Sequence, residues 1–366
     1  MDFTIDSDLR ALQSAAKQLA SRHPRAATGG EIAVGPGVHD PATWQALSEL
    51  GALALPFDEE AGGLGAGVVE VSLVAAELGR ANLLTAYADA LVAATVLAGA
   101  LEDAELGEEL AELLEQIFAG ELLVVPALTE PGRAWSLAAT AKAEQSGDGW
   151  TLSGVKEPVP YADAAQKLLV SADTADGPAL FLVDAEQLGT GGRVELNGTP
   201  GRLLAIGERA SSLLQRGINI GTAALAGEAL GAMEQALGLT VEYLKSRKQF
   251  GVPLMTFQTL SQRAADMYVS VELARSTALF AAMVAGEDPD DTASISRVKA
   301  VIGRTGRHVG QEAIQLHGGI GVTAEYAVGH LTARLTDIGH TFGDRRQHLA
   351  SLAADIDGYE HVTILS

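Results

Sequence analysis

Apolar residues recur every three or four positions through the first third of the chain and again through its C-terminal part, with short unbroken apolar runs between. Leu9, Leu12, Ala16 and Leu19 keep helical spacing behind Asp6-Ser7-Asp8, a cap-like opening. Residues 41–50 predict a short helix with Trp44, Leu47 and Leu50 on one face. A glycine-rich turn follows at 58–67, and Val71, Val74, Ala75 and Leu78 resume the period, which continues over 84–97 and 106–118. Near Gly120 the pattern changes. The runs 122–125, 167–170 and 179–183 are bounded by Gly, Asp, Asn and Pro, which predicts strands. Gly147-Asp148-Gly149 and Asn197-Gly198 read as turns between strands. From about Ala210 the helical period returns. Leu230, Met233, Leu237, Val241 and Leu244 form one predicted stripe, Ile295, Val298, Ile302, Val309 and Leu316 a second, and Leu349, Leu352 and Ile356 close the chain. The expected architecture is α+β and multi-domain: an N-terminal helical domain over 1–120, a middle β domain over 121–208 and a C-terminal domain like a four-helix bundle over 209–366.

Composition narrows the function classes. Aromatic residues make up only 5% of the 366 residues and alanine is abundant, which favours helices packed closely through small side chains. A formal charge of −22 repels nucleic acid and anionic lipid, so an anionic ligand has to be met by a local basic group. With no cysteine, disulfides, thiolate metal sites and thiol nucleophiles are excluded. The opening Met1-Asp2-Phe3-Thr4 lacks the basic start and apolar run of a signal peptide, and the apolar stretches read as too interrupted to span a bilayer. The expected location is the cytoplasm, with no metal, nucleic-acid or membrane partner.

Chemistry gathers at the ends of the long helical patterns. Arg247 is a permanent cation with a planar fork of donors suited to a pyrophosphate. It stands in Ser246-Arg247-Lys248-Gln249-Phe250-Gly251, followed by Phe257-Gln258 and later by Gln315-Leu316-His317-Gly318-Gly319. Paired glycines let a ligand approach the backbone. Taken alone, Arg247 also reads as a surface ion-pair partner of Glu242, and His317 as a helix-end group. Gly62-Gly63-Leu64-Gly65 lacks the lysine and the strand-to-helix setting of a phosphate loop and reads as a turn.

This ordered set resembles the acyl-CoA dehydrogenase family over nearly the whole chain. Thr129-Glu130-Pro131-Gly132 sits where the family has its TEPG turn, 147–156 resembles its β-hairpin, and 44–65 its N-terminal glycine-rich segment. The resemblance implies FAD-dependent α,β-dehydrogenation of an acyl-CoA thioester, in which a carboxylate of raised pKa removes the α-proton and a hydride leaves the β-carbon. It also implies a flavin shared across subunits, with one subunit holding the ring and its neighbour the pyrophosphate and adenosine. By that resemblance Arg247, Gln249, Phe250, Phe257, Gln258, Gln315, Gly318 and Gly319 are the donated half.

The other half departs from the family. Thr341, within 339–344, takes the usual catalytic glutamate's place, and Gly221 stands where some relatives carry the base on the earlier helix. Lys156 is followed by Glu157-Pro158-Val159-Pro160 rather than a Trp-x-Thr, and Trp135 follows the TEPG turn where the family has small residues. Ring-side elements depart together while adenosine-side elements stay. That pattern is similar to the base-lacking subunit of the α2β2 acyl-CoA dehydrogenases of actinobacterial steroid breakdown, and 194–204 also resembles that partner type. The resemblance implies a homologous partner subunit bearing the base, a bulky acyl-CoA such as a steroid side-chain thioester, and an electron-transferring flavoprotein as acceptor. Two alternatives stay open: a self-sufficient homotetramer using an atypical base such as Glu228, and a flavin-free scaffold. Glu228 also reads as a buried carboxylate paired with an arginine, Glu234 as facing solvent or a sister helix, and His340 as a surface group.

Overall fold

The computed structural model describes residues 7–23, 39–101, 106–147, 149–186, 188–354 and 356. Asp6 of the predicted cap and Asp148 of the predicted turn lie outside them. Five helices open the chain: α1 (Ser7–Arg22), α2 (Pro41–Glu49), α3 (Val68–Arg80), α4 (Tyr87–Ala100) and α5 (Gly107–Phe118). Pro41 fits the first turn of α2, where no amide partner is needed, and the Asp40 carboxylate accepts from the Ala42 and Thr43 N–H groups. Val71, Val74, Ala75 and Leu78 are all buried, as their spacing predicts.

The strands are β1 (Val124–Ala127), β2 (Lys142–Ser146), β3 (Gly149–Lys156), β4 (Lys167–Thr174), β5 (Gly177–Asp184), β6 (Gly189–Thr190) and β7 (Arg193–Ile206). Pairings run β4-β2-β3-β7-β5, and β5 pairs β4 again, so the sheet closes on itself with β1 added parallel to β4. Asn197-Gly198 is not the turn its composition predicts. Ser153 pairs Asn197 and Leu152 pairs Thr199, so Gly198, at φ +68°, is one extra residue in the long strand β7. The left-handed backbone that makes Asn-Gly a hairpin signal also suits a β-bulge, and local sequence does not separate the two.

α6 (Glu208–Ser246) is the axis of the C-terminal part, followed by the short strands β8 (Lys248–Gln249) and β9 (Val252–Pro253), then α7 (Gln258–Glu287), α8 (Thr292–His317), α9 (Ala327–His340) and α10 (Arg345–Ala354). α6 packs on α3, α4, α7, α8 and α9. It crosses α3 with backbones touching: a Cβ on Gly231 would overlap the Ala76 carbonyl, and one on Gly79 the Glu228 carbonyl. Close approach therefore selects small residues, and the predicted stripe on α6 is displaced. Leu230, Leu237 and Val241 are only half-buried, while Ala229, Ala232, Met233, Ala236, Thr240 and Leu244 form the buried line. The second stripe, from Ile295 to Leu316, is buried as expected. The last is not: Leu349 is 41% and Ile356 64% exposed, and α10 buries no residue.

α7 corrects one further expectation. By length and composition it is apolar enough to cross a membrane. In this fold it is a bundle helix, packed on α6 and α8 through Met267, Val271, Ala274 and Ala278.

Candidate functional site

The residues singled out around Arg247 come together where helices end. α6 stops at Ser246 because Arg247 turns extended (φ −72°, ψ 130°), its N–H still bonded to the Tyr243 carbonyl at 2.8 Å. The β8–β9 hairpin then projects Phe250, which is 92% exposed at φ +52°. The hairpin returns with the Leu254 N–H donating to the Arg247 carbonyl at 2.8 Å, and the Phe257 ring meets Phe250 edge-on, 6.3 Å between centroids. Gln258 opens α7 and is exposed. Gln315 lies exposed in the last turn of α8, and Gly318 ends that helix with its N–H on the Gln315 and Ile314 carbonyls. Gly318 adopts φ +65°, and no atom lies within 4 Å of a Cβ built on Gly318 or Gly319. Arg247 is exposed and forms no ion pair among the described residues, since Lys245 takes Glu242 at 3.0 Å. A fork of donors, three exposed amides, an exposed ring backed by a half-buried one and open glycine backbone are a donor set for a pyrophosphate and a flat base. Beneath them the His317 ring is buried between Tyr243 and Tyr326.

The departures on the ring side also meet in space. Trp135 and Phe342 pack with ring centroids 5.7 Å apart. The Gln347 side-chain amide donates to the Trp135 carbonyl at 3.3 Å, and a Cβ on Gly343 would come within 2.9 Å of Trp135 Cδ1. Phe342 holds φ +56°, a strained value for a residue with a side chain. The turn bearing it is tied from below. Lys299 Nζ donates to the Ile338 and Thr341 carbonyls at 2.7 and 2.6 Å, and His348 bridges Ser296 Oγ (3.1 Å) and the Phe342 carbonyl (3.0 Å). Burial pushes Lys299 down to about 7 against the pull of Asp344. Thr341 bonds back to its own helix at Asp337 (2.9 Å). Gly221 faces the same plug: a Cβ there would lie 3.2 Å from Phe342 Cε2 and overlap Val92. Gly221 is packed and Thr341 half-buried, and neither carries a carboxylate. The space left beside Trp135, Ile218 and Phe342 is a cavity of ≈ 180 Å³. In the proline loop, the Glu157 and Val159 N–H groups are spent on the Thr129 and Gly192 carbonyls, each at 2.8 Å.

Glu130 and Glu228 are buried carboxylates with cationic partners. Glu130 of the TEPG turn accepts from the Thr140 and Ala141 N–H groups, from Arg133, and from Lys156 Nζ at 2.9 Å. Burial alone would raise the Glu130 carboxyl, but these donors hold it well below the usual carboxylate range. Lys156, fully buried, also reaches Ser171 Oγ at 3.2 Å. Glu228 faces Arg334 in a two-pronged pair (2.6 and 2.8 Å). Asp89 of α4, which the sequence reading passed over, is buried beside that pair, and burial pushes it up to about 7. Its only signal in the sequence is an acid inside an otherwise apolar helix. Glu234 bridges Arg80 and Arg275, and His340 is exposed.

Comparison with known proteins establishes the family. Residues 6–118 match the acyl-CoA dehydrogenase N-terminal domain, and residues 211–356 match the C-terminal domain. The chain belongs to the acyl-CoA dehydrogenase family. Acyl-CoA dehydrogenase IpdE2 of Mycobacterium tuberculosis is 31% identical over 290 residues, covering 79% of this chain and 78% of that protein. The probable acyl-CoA dehydrogenase YngJ of Bacillus subtilis is 28% identical over 327 residues, covering 81% and 85%. Among solved structures, the Tcur3481-Tcur3483 steroid acyl-CoA dehydrogenase superposes with a TM-score of 0.84 at 32% identity, covering 96% of this chain and 98% of that one. The ChsE4-ChsE5 complex from Mycobacterium tuberculosis gives 0.83 at 26% identity, covering 99% and 100%. The family is one of FAD-dependent oxidoreductases acting on CH–CH bonds. The donor set around Arg247 has the chemistry a phosphate and adenosine end would need, and on the other side Trp135 and Phe342 pack against each other beside Gly221.

Proposed function

We propose that this acyl-CoA dehydrogenase chain works as one subunit of an unequal pair. Arg247, Gln249, Phe250, Phe257, Gln258, Gln315, Gly318 and Gly319 hold the pyrophosphate and adenosine of FAD, and a homologous partner provides the ring pocket and the base. When bound, FAD accepts the hydride that leaves the substrate's β-carbon. In this reading Arg247 neutralises pyrophosphate charge, and the Gly318–Gly319 backbone approaches it without side-chain interference. The observation that carries the reading is the contact of Trp135 with Phe342, in the stretch where the family's base would stand, while the clamp residues face outward. Glu228 is engaged by Arg334, which weighs against its service as a free base. The named resemblance to a steroid acyl-CoA dehydrogenase and to a two-component complex supports a bulky acyl-CoA substrate and the heteromeric assembly. An electron-transferring flavoprotein is the acceptor this reading assigns.

The test is flavin content. The chain is purified alone and with its partner, and flavin per chain is read by absorbance. The reading expects one flavin per pair and no turnover from the lone chain. A full flavin complement with turnover from the lone chain overturns it.

A further inference from the structure

The two arms of the clamp leave from different helices and meet through three rings. Tyr243 stands one turn before Arg247 in α6 and accepts the Arg247 N–H on its carbonyl at 2.8 Å, so ring and arginine share one helix end. His317 is the last residue of α8, directly before Gly318 and Gly319, and Tyr326 caps α9. The His317 ring lies 4.5 Å from the Tyr243 ring at 30° between planes, and 4.9 Å from the Tyr326 ring at 50°. His317 Nδ1 is 2.8 Å from the Ala313 carbonyl, so it carries the proton and donates, which fixes the ring's rotation. His317 is 3% exposed, and burial lowers its pKa. Gly318 and Gly319 bring no side chain to hold the second arm in place, and among the described residues no ion pair holds Arg247 in the first.

We infer that His317, wedged between Tyr243 and Tyr326, is a positioning residue that sets the spacing between Arg247 and the Gly318–Gly319 turn, and so the grip of the clamp on the nucleotide end of FAD. This rests on the clamp reading above. Helix ends are the least stable parts of helices, and a buried ring in contact with rings from two other elements ties their ends to each other. Leu244 and Leu316, each buried next to one of these rings in sequence, also anchor the two helices in the core.

The experiment titrates the flavin-stripped pair of subunits with FAD and, separately, with ADP, which carries only the nucleotide end. Wild type, Arg247→Ala, His317→Ala and His317→Phe are compared. His317→Ala is expected to weaken ADP and FAD about tenfold, the size of one or two ring contacts, and His317→Phe to recover most of it. If Arg247→Ala weakens ADP and His317→Ala does not, the positioning role is wrong and the clamp stands. If His317→Phe is as weak as His317→Ala, the ring stack is not the agent and the inference also fails. If Arg247→Ala binds ADP like wild type, the clamp reading falls and takes this inference with it. Should His317→Ala not fold, Tyr243→Leu removes one face of the stack; weakened ADP binding supports the inference and unchanged binding overturns it.

Discussion

Glu228 and Arg334 meet in parallel, Arg334 Nε on Glu228 Oε1 at 2.6 Å and a terminal nitrogen on Oε2 at 2.8 Å, both side chains only 11% exposed. The pair joins α6 to α9 through the interior. Replacing Glu228 by Gln leaves a buried guanidinium without its counter-charge, a loss on the order of 3–5 kcal/mol. The expected outcome is a lowered unfolding midpoint, while the folded subunit pair keeps its turnover number. Turnover abolished with stability unchanged contradicts this.

Asp89 lies beside that pair and binds its proton more tightly folded than unfolded, since burial raises it from 3.8 to about 7. A carboxyl raised on folding favours the folded state most below its unfolded pKa, and that contribution is lost as pH climbs from about 4 to 7. Asp89→Asn removes this slope. At pH 8 the variant is expected to gain roughly 1–3 kcal/mol over wild type, by denaturant unfolding at several pH values. A variant whose stability still falls from pH 4 to 7 as wild type does refutes the assignment.

Glu130 behaves in the opposite sense. Its folded pKa is depressed below the ordinary 4.5, so its contribution is full above that value and is lost as pH falls below it. Glu130→Gln is expected to flatten the acid limb of the stability curve and to cost about 2–4 kcal/mol at pH 7, because Lys156 stays buried without its anion. Acid unfolding followed by circular dichroism decides it, and an unchanged acid limb counts against the pairing.

Phe342 combines burial with a left-handed backbone. Phe342→Ala loses the ring and keeps the strain, at about 3 kcal/mol, whereas Phe342→Gly also releases about 1 kcal/mol of backbone strain. The glycine variant is therefore expected to be the more stable of the two in thermal unfolding. The reverse order rules out strain at this position.

Arg247 is exposed and forms no ion pair among the described residues, so Arg247→Ala is expected to leave the unfolding midpoint of the chain within about 1 °C of wild type. In the subunit pair the same change is expected to raise the FAD dissociation constant about 10–100-fold, the worth of a charge-assisted contact. Flavin absorbance after dialysis reads the difference, and full retention removes Arg247 from the clamp.

Some of this was legible from residue order. The apolar period over 68–80 and 295–316 matches α3 and α8, because large aliphatic side chains on one face have to be buried. The period failed on α6. There the closest contacts are made by alanine and glycine, whose small size registers as weak periodicity although it permits backbone-to-backbone packing against α3. Asn197-Gly198 failed for a related reason: a left-handed pair reports a backbone angle, and whether that angle reverses a strand or bulges it depends on the partner strand.

The amino-acid order alone determined the class of the protein and the alternation of helical and strand segments. It also placed Thr341 and Gly221, neither of them acidic, at the positions the resemblance marks for a base. Only the tertiary structure decided where the departing residues go. Trp135 and Phe342 are some two hundred positions apart and meet only in the fold, with Gln347 on the Trp135 carbonyl and His348 on the Phe342 carbonyl. Likewise Glu130 and Lys156, two separate motif residues, became one buried pair only once the barrel closed. Local sequence sets backbone angles and which faces prefer burial; contacts between distant side chains exist only after packing has chosen which faces meet.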